Sequence, residues 1–391
     1  MDTRQFIEEH LHDDVHELAL KYRNAKVDMA LALRQIEARQ LLRKKVPSWS
    51  DNPDLLFPAH LSIEQCSSEA TATYKASLLN GVSFADLTGG LGVDCHFISR
   101  NFQHSDYVEM NPDLCELAKH NFELLHRQDA SAETPINVFN ESAEDYLNRC
   151  EPLDCLFVDP ARRDAHGRKM VSVADCTPNV VELQEQLLQK AKRVMVKLSP
   201  MLDLSQALRE LHHVKKVHVV AVANECKELL LMMEPESEGE PLFTCVNLEN
   251  SQPPVAFTQE EERSSGLALA QEVGRYLYEP NAAVMKGGCY RLLTQRYGIA
   301  TLHRNSHLYT SERLVEGFPG RVFEVEDWAV FGKKASAMLQ GVDKASIAAR
   351  NFPMSVAELR KNLKIQDGDQ VYLFATTLSD ERKVLIKTHK L

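Results

Sequence analysis

None of the nine cysteines pairs with another in a C-x-x-C arrangement, and Cys95, Cys115, Cys155 and Cys176 are dispersed along the chain. This argues against a zinc ribbon or a disulfide frame, and for free thiols packed as small apolar groups in a reducing compartment. No apolar run approaches the roughly 20 residues of a membrane span. The opening Met1-Asp2-Thr3-Arg4-Gln5 lacks the charged-then-apolar pattern of a secretory signal. A soluble cytoplasmic protein is expected. A G-K-[ST] phosphate-binding signature is missing, which argues against an NTPase. His212, His213 and His218 have no accompanying Cys or acid set, so no metal site is expected. Repeats and low-complexity tracts are missing too.

Charge is unevenly spread. Residues 275–391 hold 18 Lys and Arg against 12 Asp and Glu, within a chain of 391 residues whose net charge is −11. The tail is therefore the better candidate for a polyanion, although a solvated mixed-charge surface fits the same numbers.

The most informative stretch is Phe84-Ala85-Asp86-Leu87-Thr88-Gly89-Gly90-Leu91-Gly92-Val93-Asp94. It reads as a strand ending in a glycine turn that lets a ligand approach the main chain. A pyrophosphate site would prefer G-x-G-x-x-G, and the carboxylate of Asp86 would repel phosphate. An amino-bearing cation such as S-adenosylmethionine (SAM) suits both features. A second strand, 105–110, ends in Glu109, an acid placed to take ribose hydroxyls in either a dinucleotide or a SAM fold. A third, Asp154-Cys155-Leu156-Phe157-Val158, delivers Asp159-Pro160-Ala161-Arg162-Arg163 at its carboxyl end, where open α/β sheets place their chemistry. Strands near 83–88, 105–110, 136–140, 154–159 and 193–199, with helical segments between, predict a doubly wound parallel sheet. A hairpin of 212–222 and 229–233, turning at Asn224-Glu225, follows.

On these residues the chain resembles class I SAM-dependent methyltransferases. Residues 86–94 match their first glycine-rich loop, Glu109 their ribose acid, and 159–162 their Asp-Pro-Pro-aromatic motif, here with Ala161 and Arg162 in the last two places. The resemblance implies a Rossmann-like sheet with SAM as cofactor. It implies Asp86, Thr88, Gly89, Gly90, Gly92 and Asp94 around the methionine moiety and Glu109 and Met110 at the ribose. Ala143 and Glu144, on the Ser142-Ala143-Glu144-Asp145 turn, are implied at the adenine. Asp159, with the carbonyl of Pro160, would hold a target amine and also belong to the cofactor pocket. Arg162 and Arg163 would hold RNA phosphate or a base edge, or else anchor their loop to an acid. The turn Lys197-Leu198-Ser199-Pro200 is a weaker contributor.

Residues 1–50 carry apolar residues at helical spacing, notably between Ala25 and Lys45, ended by Pro47-Ser48-Trp49-Ser50. Ser62 is read as the N-cap of a helix in Leu61-Ser62-Ile63-Glu64-Gln65-Cys66-Ser67-Ser68-Glu69-Ala70. Gln65, Ser67 and Ser68 are placed to close over the methionine end of the cofactor or simply to cap the helix. The acidic turn 234–241 is a domain break. Beyond it, 276–286 reads as a strand and a helix, and from Arg321 follow a strand, a helix at 356–363 and strands at 370–375 and 383–387. This order resembles a bacterial methyltransferase family with a ferredoxin-like module and a C-terminal THUMP-like domain. The expected organisation is a helical region (1–60), the methyltransferase domain (61–235), a linker with the ferredoxin-like module (236–320) and the THUMP-like domain (321–391). The resemblance implies methyl transfer to an RNA, tRNA or rRNA. A non-catalytic SAM- or RNA-binding protein, or a methyltransferase of a protein or small molecule, stays open.

Overall fold

A computed structural model describes residues 2–23, 26–58, 60–128, 135–162 and 172–391, with the side chains at 60–62 and 162 outside that description. The chain forms two compact units, 1–215 with 229–238, and 216–228 with 239–391. Among the described residues no helix is long and apolar enough to cross a membrane.

The first unit is built on strands β1 (Ser83–Asp86), β2 (His104–Val108), β3 (Asn137–Phe139), β4 (Leu153–Val158) and β5 (Ala191–Leu198). They pair in parallel in the spatial order β3-β2-β1-β4-β5. Helices over 93–99, 112–128, 143–149 and 180–190 connect them, the alternation that a parallel sheet requires. Both sheet faces are covered, so the central strands are apolar on both sides. Cys155 through Val158 and Val194 through Val196 are each at most 1% exposed. Strand order reverses between β1 and β4, and ligands bind at the carboxyl ends beside such a switch. The chain then continues through β6 (Val214–Val222) and β7 (Glu225–Met233). Residues 229–233 of β7 pair antiparallel with β5. Ala223 and Asn224 both take left-handed conformations, as a two-residue hairpin turn demands. The turn is therefore one residue earlier than the sequence suggested, and Glu225 already belongs to β7.

The second unit holds β8 (Leu242–Leu248), parallel to β6, and β9 (Val255–Phe257), antiparallel to β8. Its larger sheet contains β10 (Tyr276–Pro280), β11 (Tyr309–Ser311), β12 (Gly320–Val330), β13 (Ser346–Arg350), β14 (Tyr372–Thr377) and β15 (Lys383–Lys390). The order is β11-β10-β12-β15-β14-β13, with the short strand Ala300–Thr301 outside β11. Side chains alternate between two cores. Phe374 and Ile386 join Leu277 and Phe323 on one face, while Leu373, Ala375 and Leu385 join Leu359 and Ala335 on the other. The helix at 356–363 is as expected. β8, β9, β11 and β13 have no counterpart in the sequence reading, because they are short or flanked by polar residues without clean alternation. The helical stretch after β10 is two helices, Ala282–Gly287 and Arg291–Tyr297, since Gly288 caps the first in a left-handed conformation.

Near the N-terminus, Asp28 caps the helix Met29–Leu42 by accepting from Leu31 N–H, which sets its start four residues after Ala25. Residues 47–50 form a further helical turn. Ser62 falls inside the helix His60–Gln65 and is not its N-cap. The capping serine is Ser68, which accepts from Thr71 N–H at the start of Glu69–Leu78. Arg39, 6% exposed, donates to the carbonyls of Ser50 (3.0 Å), Asn52 (2.7 Å), Pro53 (3.1 Å) and Leu55 (2.8 Å). One guanidinium thus satisfies a loop whose backbone has no ladder partner. Replacing it, as in Arg39→Met, orphans these carbonyls and is expected to cost on the order of 3 kcal/mol. Urea denaturation checks this, and an unchanged midpoint would refute the role.

Candidate active site

The chain leaves β1 at Asp86, whose Oδ1 accepts from Thr88 N–H at 2.9 Å. Leu87 N–H bonds Phe157 O and Gly89 N–H bonds Val108 O, so the turn stays tied to β4 and β2. Three glycines follow for three different reasons. A Cβ on Gly89 would stand 2.1 Å from the Tyr107 ring, and one on Gly92 would meet Phe122 at 2.7 Å in a backbone with φ +87°. Gly90 also has positive φ, +53°, but the nearest atom to its Cβ position is Thr88 O at 3.8 Å. Gly89 and Gly92 therefore serve packing and turn geometry, and Gly90 presents the open face. Tyr107 fixes the turn from below by donating from its hydroxyl to Gly90 O at 2.6 Å. Sequence reasoning missed Tyr107, because an aromatic inside a strand reads as ordinary core.

Thr88 joins the first motif to the fourth. Its Oγ1 accepts from Asp159 N–H at 2.7 Å, bringing the ends of β1 and β4 together. Asp159 is ion-paired through Oδ2 with Lys197 near the end of β5; Oδ1 has no partner among the described residues. Lys197 Nζ is also 3.8 Å from Asp94 Oδ2. Asp94 further accepts from Ser67 Oγ at 2.6 Å and faces Lys75 Nζ at 3.1 Å. Lys75 is fully buried and also donates to Ser67 Oγ. Burial alone would raise the Asp94 pKa, but the two ammonium groups, Lys75 foremost, hold it below the ordinary carboxylate value. Asp86, 1% exposed and without a cation paired to it among the described residues, is pushed up to about 8 by burial, opposed by Thr88 N–H and reinforced by Asp94 and Asp159. Lys75 was missed in the sequence, yet it stands on the buried stripe Thr71, Ala72, Lys75, Ala76 of its helix. A lone lysine on an apolar helix face was the available signal.

Glu109 lies just beyond β2. Its Oε2 accepts from Gly90 N–H at 3.0 Å and its Oε1 from Asn111 N–H at 2.8 Å. Met110 beside it is 67% exposed. Asn140 donates to the carbonyls of Glu109 and Met110, which draws the β3 end toward them. Ser142 caps the next helix, with Ala143 buried and Glu144 exposed in its first turn. Asp86, Thr88, the glycines, Glu109, Met110 and Asp159 thus share one edge of the sheet. Pro160 is buried and follows Asp159 directly. Arg162 is placed only as backbone, paired with Cys176 in a small two-stranded ladder; its side chain, like Arg163, lies outside the described residues. Of the closing residues, Ser67 is bound to Asp94, and Gln65 is exposed. Burial raises the Cys155 thiol to about 11 and that of Cys95 well above its usual value, which disfavours the thiolate at both.

A parallel sheet ordered β3-β2-β1-β4-β5 with an antiparallel β7, carrying its glycine loop, acid and Asp-Pro turn at one edge, defines a class I methyltransferase domain. The comparisons with known proteins agree. A ferredoxin-like domain family matches residues 276–319 and a THUMP domain-like family residues 320–390. The crystal structure of a "putative methyltransferase" from Porphyromonas gingivalis is 33% identical with a TM-score of 0.87, covering 99% of this chain and 97% of that one. Two uncharacterised S-adenosylmethionine-dependent methyltransferases from two strains of Mycobacterium tuberculosis are each 21% identical over 320 residues, 81% of this chain and 83% of theirs. The chain belongs to the class I SAM-dependent methyltransferases that carry a ferredoxin-like and a THUMP-like domain. SAM is the cofactor of that family.

Asp86 supplies a test of the site's electrostatics. An acid with a raised folded-state pKa binds its proton more tightly when folded. Its contribution is complete below about pH 4, the unfolded value, and is lost as pH rises to about 8. Asp86→Asn keeps an acceptor for Thr88 N–H and removes the titration. The stability difference between variant and native protein is expected to swing in favour of the variant by a few kcal/mol between pH 5 and pH 8. Parallel pH profiles in urea denaturation would show that Asp86 is not held neutral.

Proposed function

We propose that this protein methylates RNA, with SAM lying along the glycine loop and the acceptor held at Asp159. The carrying observation is the convergence of Gly90, Glu109 and Asp159 at the carboxyl ends of β1, β2 and β4, tied together by Thr88 and Tyr107. The open face of Gly90 is where a ligand can reach the main chain. Glu109, already oriented by two N–H donors, would take the ribose hydroxyls. Exposed Met110 would cover the adenine, with Ala143 and Glu144 at its edge. Asp94 is engaged by Lys75, Lys197 and Ser67, so Asp86 is the better partner for the α-amino group. Approach of that cation would ionise Asp86 and release a proton.

The cofactor supplies a methyl group on a positively charged sulfur that leaves as a neutral thioether. The chain then has to align the nucleophile, and positioning can lower such a barrier by several kcal/mol. Asp159 would use Oδ1, the oxygen not taken by Lys197, to accept a hydrogen bond from the acceptor's N–H or O–H, with the Pro160 carbonyl as a second acceptor. Arg162 stands where the motif places its stacking aromatic, so the acceptor would be held by guanidinium contacts, stacking or polar, with Arg162 and Arg163 the candidates. The RNA assignment is supported by the THUMP domain-like match over 320–390 and by the excess of basic residues in 275–391.

The deciding experiment incubates the protein with methyl-labelled SAM and total RNA from cells lacking the gene. Label is expected to enter RNA, and Asp159→Ala and Asp159→Asn are expected to reduce transfer by about 100-fold or more. SAM affinity should change only a few-fold. Label entering protein or small molecules, with none in RNA, would overturn the substrate assignment.

A further inference from the structure

A second site lies in the unit formed by 216–228 and 239–391. Asn224, Glu279, Pro280, Met285, Arg321 and Arg350 are among the residues lining a hollow of about 370 Å³, within the range of small-ligand sites. Its floor is an organised ion cluster. Glu279 is 3% exposed and takes both arginines at once. Arg321 bonds Oε2 through Nε (2.9 Å) and Nη2, and Arg350 bonds Oε1 through Nε (3.2 Å) and Nη2 (2.8 Å). Glu279 and Arg321 are direct cross-strand partners on β10 and β12. Arg350 ends β13, four strands from β10 in the sheet order. Strands about 4.8 Å apart would put these residues near 19 Å from one another in a flat sheet, so the sheet must curl to bring Arg350 onto Glu279.

The arrangement leaves a defined donor set. Two guanidinium charges face one carboxylate, an excess of one positive charge within the cluster. Both carboxylate oxygens are taken. The Nη1 groups of Arg321 and Arg350 have no acceptor among the described residues. Asn224 spends its Oδ1 on Ala282 N–H at 2.9 Å, and its Nδ2 likewise has no acceptor among the described residues. Three side chains thus offer unused donors around one hollow, while Pro280, Ala282 and Met285 give it an apolar wall. Guanidinium pairs fixed by a buried acid are preorganised for an oxyanion with several acceptors.

We infer that this hollow binds a phosphate group, and, resting on the RNA reading above, that the group is a backbone phosphate of the RNA substrate. The test measures binding of a fluorescent RNA hairpin to the full chain as a function of salt. Arg350→Gln is expected to weaken binding by about tenfold and to reduce the slope of log affinity against log salt by about one contact's worth, roughly 0.7–0.9. A merely structural arginine would leave that slope unchanged. Circular dichroism establishes that the variant folds. If it does not, Arg350→Lys, which keeps the charge but not the fork, should keep the slope and lose affinity. Native slope and affinity in a folded Arg350→Gln protein would overturn the site. A parallel arm follows thermal stabilisation by inorganic phosphate and by a nucleoside monophosphate. Stabilisation lost in Arg350→Gln, with no RNA binding by the native chain, would keep the phosphate site and overturn its RNA source. No stabilisation together with no RNA binding overturns both.

Discussion

The candidate site depends on a chain of opposite charges running from the buried Lys75 through Asp94 and Lys197 to the partly exposed Asp159. Each charge taken out of water costs several kcal/mol unless it is paired with good geometry. Here two ammonium groups alternate with two carboxylates, and Ser67 fills a further valence of Asp94. The chain joins four separate pieces of backbone: the helix before β1, the helix after the glycine turn, the end of β4 and the end of β5. Each member is paired with at least one other, so the four pieces are held in one relative arrangement. Asp86 stands beside this chain with no cation paired to it among the described residues, so burial raises its pKa while the lysines lower that of Asp94.

That division explains how two aspartates eight residues apart can have different duties. An acid already neutralised by lysines has little attraction left for an incoming cation. An acid kept protonated by its surroundings can ionise when a cation arrives, and its desolvation cost is then offset by the ligand. The glycine turn shows a similar partition. Gly89 and Gly92 accommodate Tyr107 and Phe122, and only Gly90 leaves its face open.

Much of the first unit was legible because parallel strands buried on both faces are written as apolar runs, and because Asp86, Glu109 and Asp159 each close one. The ends of the five parallel strands moved by only a residue or two, while β7 starts four residues before the expected 229. What was not legible has a common physical cause. Lys75 and Tyr107, and the bond by which Thr88 reaches Asp159, act between segments distant in sequence, and a single residue on a helix or strand carries no record of its partner. Ser62 was misplaced as a cap because serines at 62, 67 and 68 all stand near a helix start, and only backbone geometry shows that Ser68 does the capping. In the second unit, β9, β11 and β13 were missed because edge and short strands depend on pairing more than on their own pattern, and β8 because its polar flanks and Thr244 and Asn247 blur the alternation.

The second unit also changes how the tail is to be understood. The segments matched by the ferredoxin-like and THUMP domain-like families share one sheet, with β10 of the first paired to β12 of the second over residues 276–280 and 320–324. Cutting the chain near residue 320 would therefore expose the edge of β10 and strip Glu279 of both its arginines. These modules act as one folded body, and a function assigned to either must be tested by point substitution within it. Methyl transfer from an already activated donor needs alignment more than strong grip at the reacting atom. With Arg162 in place of the motif's aromatic, part of the binding energy for the proposed RNA acceptor would come from surfaces away from the methyl group. The arginine pair on Glu279 would meet that requirement under the proposal above, because its donors are fixed before a ligand arrives and little entropy is lost on contact.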